Sequence, residues 1–80
     1  MSDEIANYTI FGAPATEFYL KKARITLRGH VTIVIEGCID RIWRVSIGVN
    51  TPYGRKVIPI SQIKVIELLG DCEPEGENGK

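Results

Sequence analysis

Eighty residues, 44% of them hydrophobic, with a mean hydropathy of −0.01, describe one small globular domain and exclude wholesale disorder. No run approaches the ~18 uninterrupted apolar residues of a membrane span. The formal charge of zero, ten Lys/Arg against ten Asp/Glu, conceals a segregation: residues 18–66 hold nine cations against Glu36 and Asp40, a surplus of +7. The first seventeen residues carry −3 and the last fourteen −4. A basic body with acidic ends suits a polyanion partner, the ends limiting non-specific association.

In chain order, residues 1–7 read as a flexible start, 8–69 as a single β domain and 70–80 as a disordered acidic tail. The first twenty residues carry Asp3, Glu4 and Pro14 without a basic n-region, so no signal peptide is expected. "YTIFG" (8–12) is a short strand ending at Gly12-Ala13-Pro14. "EFYLKKARITLR" (17–28) supplies two short strands or one bent one, with Thr16 as a possible cap. Arg28-Gly29-His30 is a turn.

"VTIVIEG" (31–37) alternates, which predicts Val31, Ile33 and Ile35 on one face and Thr32, Val34 and Glu36 on the other. Gly37 is expected to bend or bulge that strand. "CIDRI" continues toward Trp43, for which core packing outweighs a stacking role. "RVSIGVN" (44–50) predicts Val45, Ile47 and Val49 facing in, with Arg44, Ser46 and Gly48 facing out. Thr51-Pro52-Tyr53-Gly54 is a turn by composition, and Pro59 confines "KVIPI" to an edge. "SQIKVIELLG" (61–70) has two readings: a helix capped by Ser61 and stopped by Gly70, or one 3₁₀ turn followed by a strand over 64–68. The fold class is therefore all-β, a small barrel or intertwined sheet of four to six short strands with a possible short C-terminal helix.

Catalytic chemistry is not expected. His30 sits at a turn without a local carboxylate or serine, and Glu36 and Asp40 on one strand need not converge. Phosphate-cradling glycine loops are missing. Cys38 and Cys72 stand 34 residues apart without a CxxC or a neighbouring His. Both are expected to be reduced, in a cytoplasmic protein with no metal and no cofactor.

"VTIVIEG" followed by "VSIGVNTP" resembles the strand pair of the carbon storage regulator (CsrA/RsmA) family, small dimeric RNA-binding repressors of translation. The resemblance rests on Val31, Thr32, Ile33, Ile35, Gly37, Val45, Ile47, Gly48, Val49, Asn50 and Pro52, and extends loosely over residues 18–69. It implies that Leu20, Lys21 and Lys22 occupy the family's leucine-then-basic opening positions. The chain departs from that pattern by two added residues between Gly37 and Gly48, and by Ile60 where the family has an RNA-contacting Arg. "EGCIDRI", "RVSIGV" and "GRKVIPISQIKVIEL" are also similar to Sm-like barrels, which form rings that bind single-stranded RNA.

Together these readings imply a post-transcriptional regulator that binds single-stranded or loop RNA. Its candidate contacts are Leu20, Lys21, Lys22, Arg24, Arg55 and Lys56, with Tyr53 as a stacking platform. The chain is expected to be a homo-oligomer, a dimer more readily than a ring, because so short a chain buries only about 60% of its unfolded surface. The rival reading is an SH3/Sm-like structural or protein-interaction module, for instance a virus-encoded assembly factor or inhibitor.

Overall fold

A computed structural model describes residues 7–72. Seven strands form two antiparallel sheets. β1 (Thr9–Ile10) and β2 (Ala13–Pro14) make a small hairpin. The main sheet comprises β3 (Lys21–Leu27), β4 (Ile33–Ile42), β5 (Ser46–Thr51), β6 (Gly54–Pro59) and β7 (Ile63–Asp71), in the spatial order β6-β5-β4-β3-β7. Two 3₁₀ turns, Ala15–Glu17 and Ile60–Gln62, link the pieces.

The all-β expectation holds. The sheet is open, however, and not a closed barrel: β6 and β7 are its two edges. Pro59 lies on the edge strand β6, where its missing N–H costs no ladder bond. Of the two readings of 61–70, the 3₁₀ turn and strand is realised, and no C-terminal helix forms. Ile-Lys-Val-Ile is β-prone, and pairing with β3 supplies backbone partners that a lone helix on this small body would have to provide for itself. β7 runs two residues beyond the expected end of the domain, so Gly70 and Asp71 belong to the sheet rather than to a tail. Residues 1–6 of the expected flexible start and 73–80 of the expected acidic tail lie outside the described residues.

The core is aliphatic. Ile25, Ile39, Ile47, Val49 and Ile63 are fully buried, joined by Ala23, Ile42 and Ile58. The N-terminal hairpin and first 3₁₀ turn add Ile10, Ala15 and Phe18 to the same cluster, so this segment helps to close the core. Alternation places Ile47 and Val49 inside, as their pattern requires, but Val45 is 71% exposed. It precedes β5 in the β4–β5 turn, where its carbonyl accepts from Ile60 N (2.9 Å) and its side chain leaves the sheet. Val31 and Ile33 are likewise exposed, because they lie at the tip of the β3–β4 hairpin, past the last core layer.

Gly37 is not a bulge: it pairs in regular register with Ala23. The irregularity of β4 against β5 falls between Ile39 and Arg41. Gly37 is instead required by close approach, since a Cβ there would stand 2.5 Å from the Asn50 carbonyl oxygen.

The largest correction concerns the cysteines. Cys38 and Cys72 form a disulfide with Cα atoms 5.7 Å apart. It ties β4 to the residue after β7, the two strands that flank β3. The expectation of free thiols came from sequence separation and motif; separation does not limit pairing once β4 and β7 are brought to either side of one strand. The disulfide removes the argument for a reducing cytoplasmic setting. No helix among the described residues is long and apolar enough to cross a membrane.

Candidate nucleic-acid interface

The seven predicted contacts do not form one patch. Strand register places Arg55, Asn50, Cys38 and Lys22 in one transverse row, and Lys56, Val49, Ile39 and Lys21 in the next. Successive rows face opposite sides of a sheet. Val49 and Ile39 are buried, so Lys21 and Lys56 start from the core side, at its margins, while Lys22 and Arg55 start from the outer side.

Leu20 is exposed and takes a left-handed backbone (φ 59°) just before β3. Its N–H donates to Ile39 O (2.7 Å) and its carbonyl accepts from Cys72 N (3.1 Å). Its position is thus fixed by backbone pairing on both sides. Tyr53 is 94% exposed at the tip of the β5–β6 turn. Thr51 closes that turn: its hydroxyl donates to Gly54 O (2.7 Å) and accepts from Tyr53 N (3.1 Å). The phenol ring is therefore presented to solvent and takes no part in closing the turn.

Three of the five cations are engaged by the chain's own carboxylates. Lys21 Nζ pairs with Asp71. Arg55 makes a two-pronged contact with Asp40, 2.6 and 2.9 Å. Arg24 lies between Glu36 of β4 (2.7 Å) and Glu67 of β7 (3.0 Å) in one row across the sheet. The hydrogen bond and charge of Glu36, then those of Glu67, push the Arg24 guanidinium above its already high ordinary pKa. With two carboxylates on one guanidinium, the charge of Arg24 is fully taken up by its own partners in this conformation.

Lys22 and Lys56 enter no ion pair with a described residue, and neither do Arg28, Arg41, Arg44 and Lys64. Three of these gather around the second 3₁₀ turn. Ile60 N donates to Val45 O (2.9 Å), and Gln62 O accepts from Arg28 N (2.8 Å). Ile60 and Gln62 are separated by only ~4 Å along a 3₁₀ axis. The curl of the sheet therefore brings Arg28, at the end of β3, and Arg44, next to Val45, to either side of one short segment. Lys64 follows Gln62 by two residues. All three are exposed.

Sequence reasoning passed over this basic pole because its members are 16 and 20 residues apart along the chain. The only signal available was the count of cations, without their placement.

Trp43 stands at the same β4–β5 turn, 41% exposed. Core packing was the expectation; the ring instead lies over Gly48 on the outer face, beside Arg41 and Arg55. Gly48 is buried for that reason, although its row faces outward. A Cβ at Gly48 would meet Arg41 Cβ at 3.0 Å, Trp43 Cζ3 at 3.3 Å and Arg55 Nη1 at 3.4 Å; the ring and the guanidinium can swing aside, and Arg41 Cβ needs a shift of only a few tenths of an ångström in its strand. Gly48→Ala is expected to change stability by less than about 1 kcal/mol, the loss of chain freedom in the unfolded state offsetting the crowding. Its visible effect should be a shift in Trp43 fluorescence; a cooperative loss of fold would show the ring to be immovable.

Glu36 and Asp40 serve different arginines and do not converge. His30 is exposed near the hairpin tip. No cluster of three or more His, Cys, Asp or Glu suited to a metal occurs among the described residues. No protein-family model matches the chain, and no curated protein or solved structure gives a match.

Proposed function

We propose that this chain is a non-enzymatic RNA-binding β module that acts as a post-transcriptional regulator. It binds single-stranded or loop RNA through the pole formed by Arg28, Arg44 and Lys64, with Trp43 as the neighbouring aromatic surface. The observation that carries the reading is the distribution of ion pairs: the carboxylates of the sheet neutralise Lys21, Arg24 and Arg55 and leave this pole uncompensated by any described residue. Unpaired cations beside an exposed aromatic ring are what a flexible polyanion with splayed bases requires.

The element order lends more weight to the Sm-like resemblance than to the carbon storage regulator one. Four strands joined by hairpins, a 3₁₀ turn and a fifth strand returning to the first describe the barrel-type succession. β7 stands where the other family has its helix, and it pairs within its own chain. Self-association, with a dimer favoured, fits the two open edges and the apolar residues exposed along β7, Val65, Leu68 and Leu69.

The test is a titration of labelled single-stranded RNA at about 50 and 200 mM salt. Binding should weaken steeply with salt, and converting Arg28, Arg44 and Lys64 together to Ala should flatten the log–log slope by roughly 2, at about 0.7 per phosphate contact. The fold should survive, since all three side chains are exposed. A slope near zero in the parent protein would remove the proposal.

The protein-interaction reading is favoured by a different observation. Val31, Ile33 and Val34 form an exposed apolar hairpin end. A specific protein partner together with indifference to RNA would decide for it.

A further inference from the structure

The Cys38–Cys72 disulfide fastens the end of β7, an edge strand whose carboxylates engage part of the basic surface. β7 is anchored unevenly. Ile63 at its start is fully buried and Ile66 half-buried, whereas every residue from Glu67 to Asp71 is exposed. Backbone bonds to β3 and the disulfide therefore hold the second half of β7, with no core side chain to keep it in place. That same half carries Glu67 and Asp71, the partners of Arg24 and Lys21. Lys22 lies in the row between Cys38 and Gly70, on the strand beside the fastened segment.

We infer that the disulfide is a latch over a second, latent anion-binding surface at the start of β3, made by Lys22 and Arg24 on the outer face with Lys21 reaching it from the sheet margin, which opens on reduction. A dithiol reductant passes two electrons and two protons to the Sγ–Sγ bond. That bond breaks to give two thiols, and the dithiol closes to its own disulfide. With the covalent tie gone, the end of β7 frays and carries away the carboxylates of Glu67 and Asp71. Lys21 then loses its counter-ion, and Arg24 keeps only Glu36. The region gains two units of positive charge relative to the latched state, next to Lys22, which enters no ion pair with a described residue in the disulfide form. The ligand class is a phosphodiester polyanion, so the inference rests on the RNA reading and adds its regulation.

The experiment compares binding of the same labelled single-stranded RNA by the full chain in its disulfide form and after treatment with a dithiol, at low and high salt. Reduction is expected to tighten binding about tenfold at low salt and to steepen the log–log slope by up to ~1.4, for two added contacts at about 0.7 each. Because reduction also lowers global stability, a second protein keeps the disulfide intact. Glu67→Gln with Asp71→Asn should reproduce most of the gain without reductant. Adding Lys21→Ala and Arg24→Ala to that variant should abolish it.

Equal binding by the disulfide and reduced forms, with RNA still bound through the Arg28 pole, would overturn the latch and leave the RNA reading standing. No binding by either form would overturn both. Hydrogen exchange should show faster exchange on reduction at 67–71 than at 63–66; uniform protection along β7 would also sink the latch.

Discussion

Replacing Cys38 and Cys72 together by Ser is expected to cost about 4 kcal/mol of stability, from the loop-closure entropy of a bridge between residues 34 apart. For a domain of this size that corresponds to a melting temperature lower by roughly 15–30 °C. The loss is a large share of the whole, since folded domains are stable by only about 5–15 kcal/mol. The 80-residue chain sits at the small end, where a core of Ile and Val side chains covers limited area. Thermal and urea unfolding with and without reductant check this directly. Wild-type protein under reductant should fall to the midpoint of the double Ser variant. A wild-type midpoint indifferent to reductant would show that the thiols are not joined in solution, and the latch would fall with it.

The second large effect is expected at Gly37. Building a methyl group there puts it 2.5 Å from Asn50 O, 2.8 Å from Val49 Cγ1 and 3.1 Å from Asn50 C. Two of the three obstacles are backbone atoms of β5, held in register by Cys38↔Asn50 on one side and Asn50↔Arg55 on the other. They cannot rotate aside as the Trp43 ring can at Gly48, where the nearest fixed atom, Arg41 Cβ, stands farther off at 3.0 Å. Overpacking of this kind costs about 1–3 kcal/mol, and Gly37→Ala should fall at or above the upper end because the strand itself must move. Urea unfolding of Gly37→Ala and Gly48→Ala in parallel gives the comparison that matters. Similar midpoints for the two would contradict the difference between backbone and side-chain obstacles.

Several elements were legible because their cause is local. Ile47 and Val49 alternate with polar or small residues, and a strand with period two must bury one set. Pro52 and Gly54 flank Tyr53 in a tetrapeptide that favours a turn, and Thr51 supplies the hydroxyl that closes it. The same local rule misplaced Val45 and Val31. Alternation states which residues share a face but not where along a strand the core ends. The two readings of residues 61–70 were balanced for a related reason: Ile63, Ile66 and Leu69 fit a helical stripe, and only the vacancy beside β3 selects the strand.

The candidate site was less legible than the fold. Lys21, Lys22, Arg24, Arg55 and Lys56 drew attention as runs of neighbouring cations, yet charge acts through space. Three of them meet carboxylates from residues 12 to 50 positions away. Arg28, Arg44 and Lys64 attracted no notice singly and share a pole only because the sheet curls around the 3₁₀ turn.

Composition and periodicity by themselves determined an all-β domain, its turns and a cationic middle, because backbone propensity and side-chain burial are set within a few residues. Which cations are cancelled, which glycine is indispensable and which thiols join were decided by tertiary structure alone. Each depends on strands distant in sequence arriving within a few ångströms of one another, and no local pattern encodes that distance.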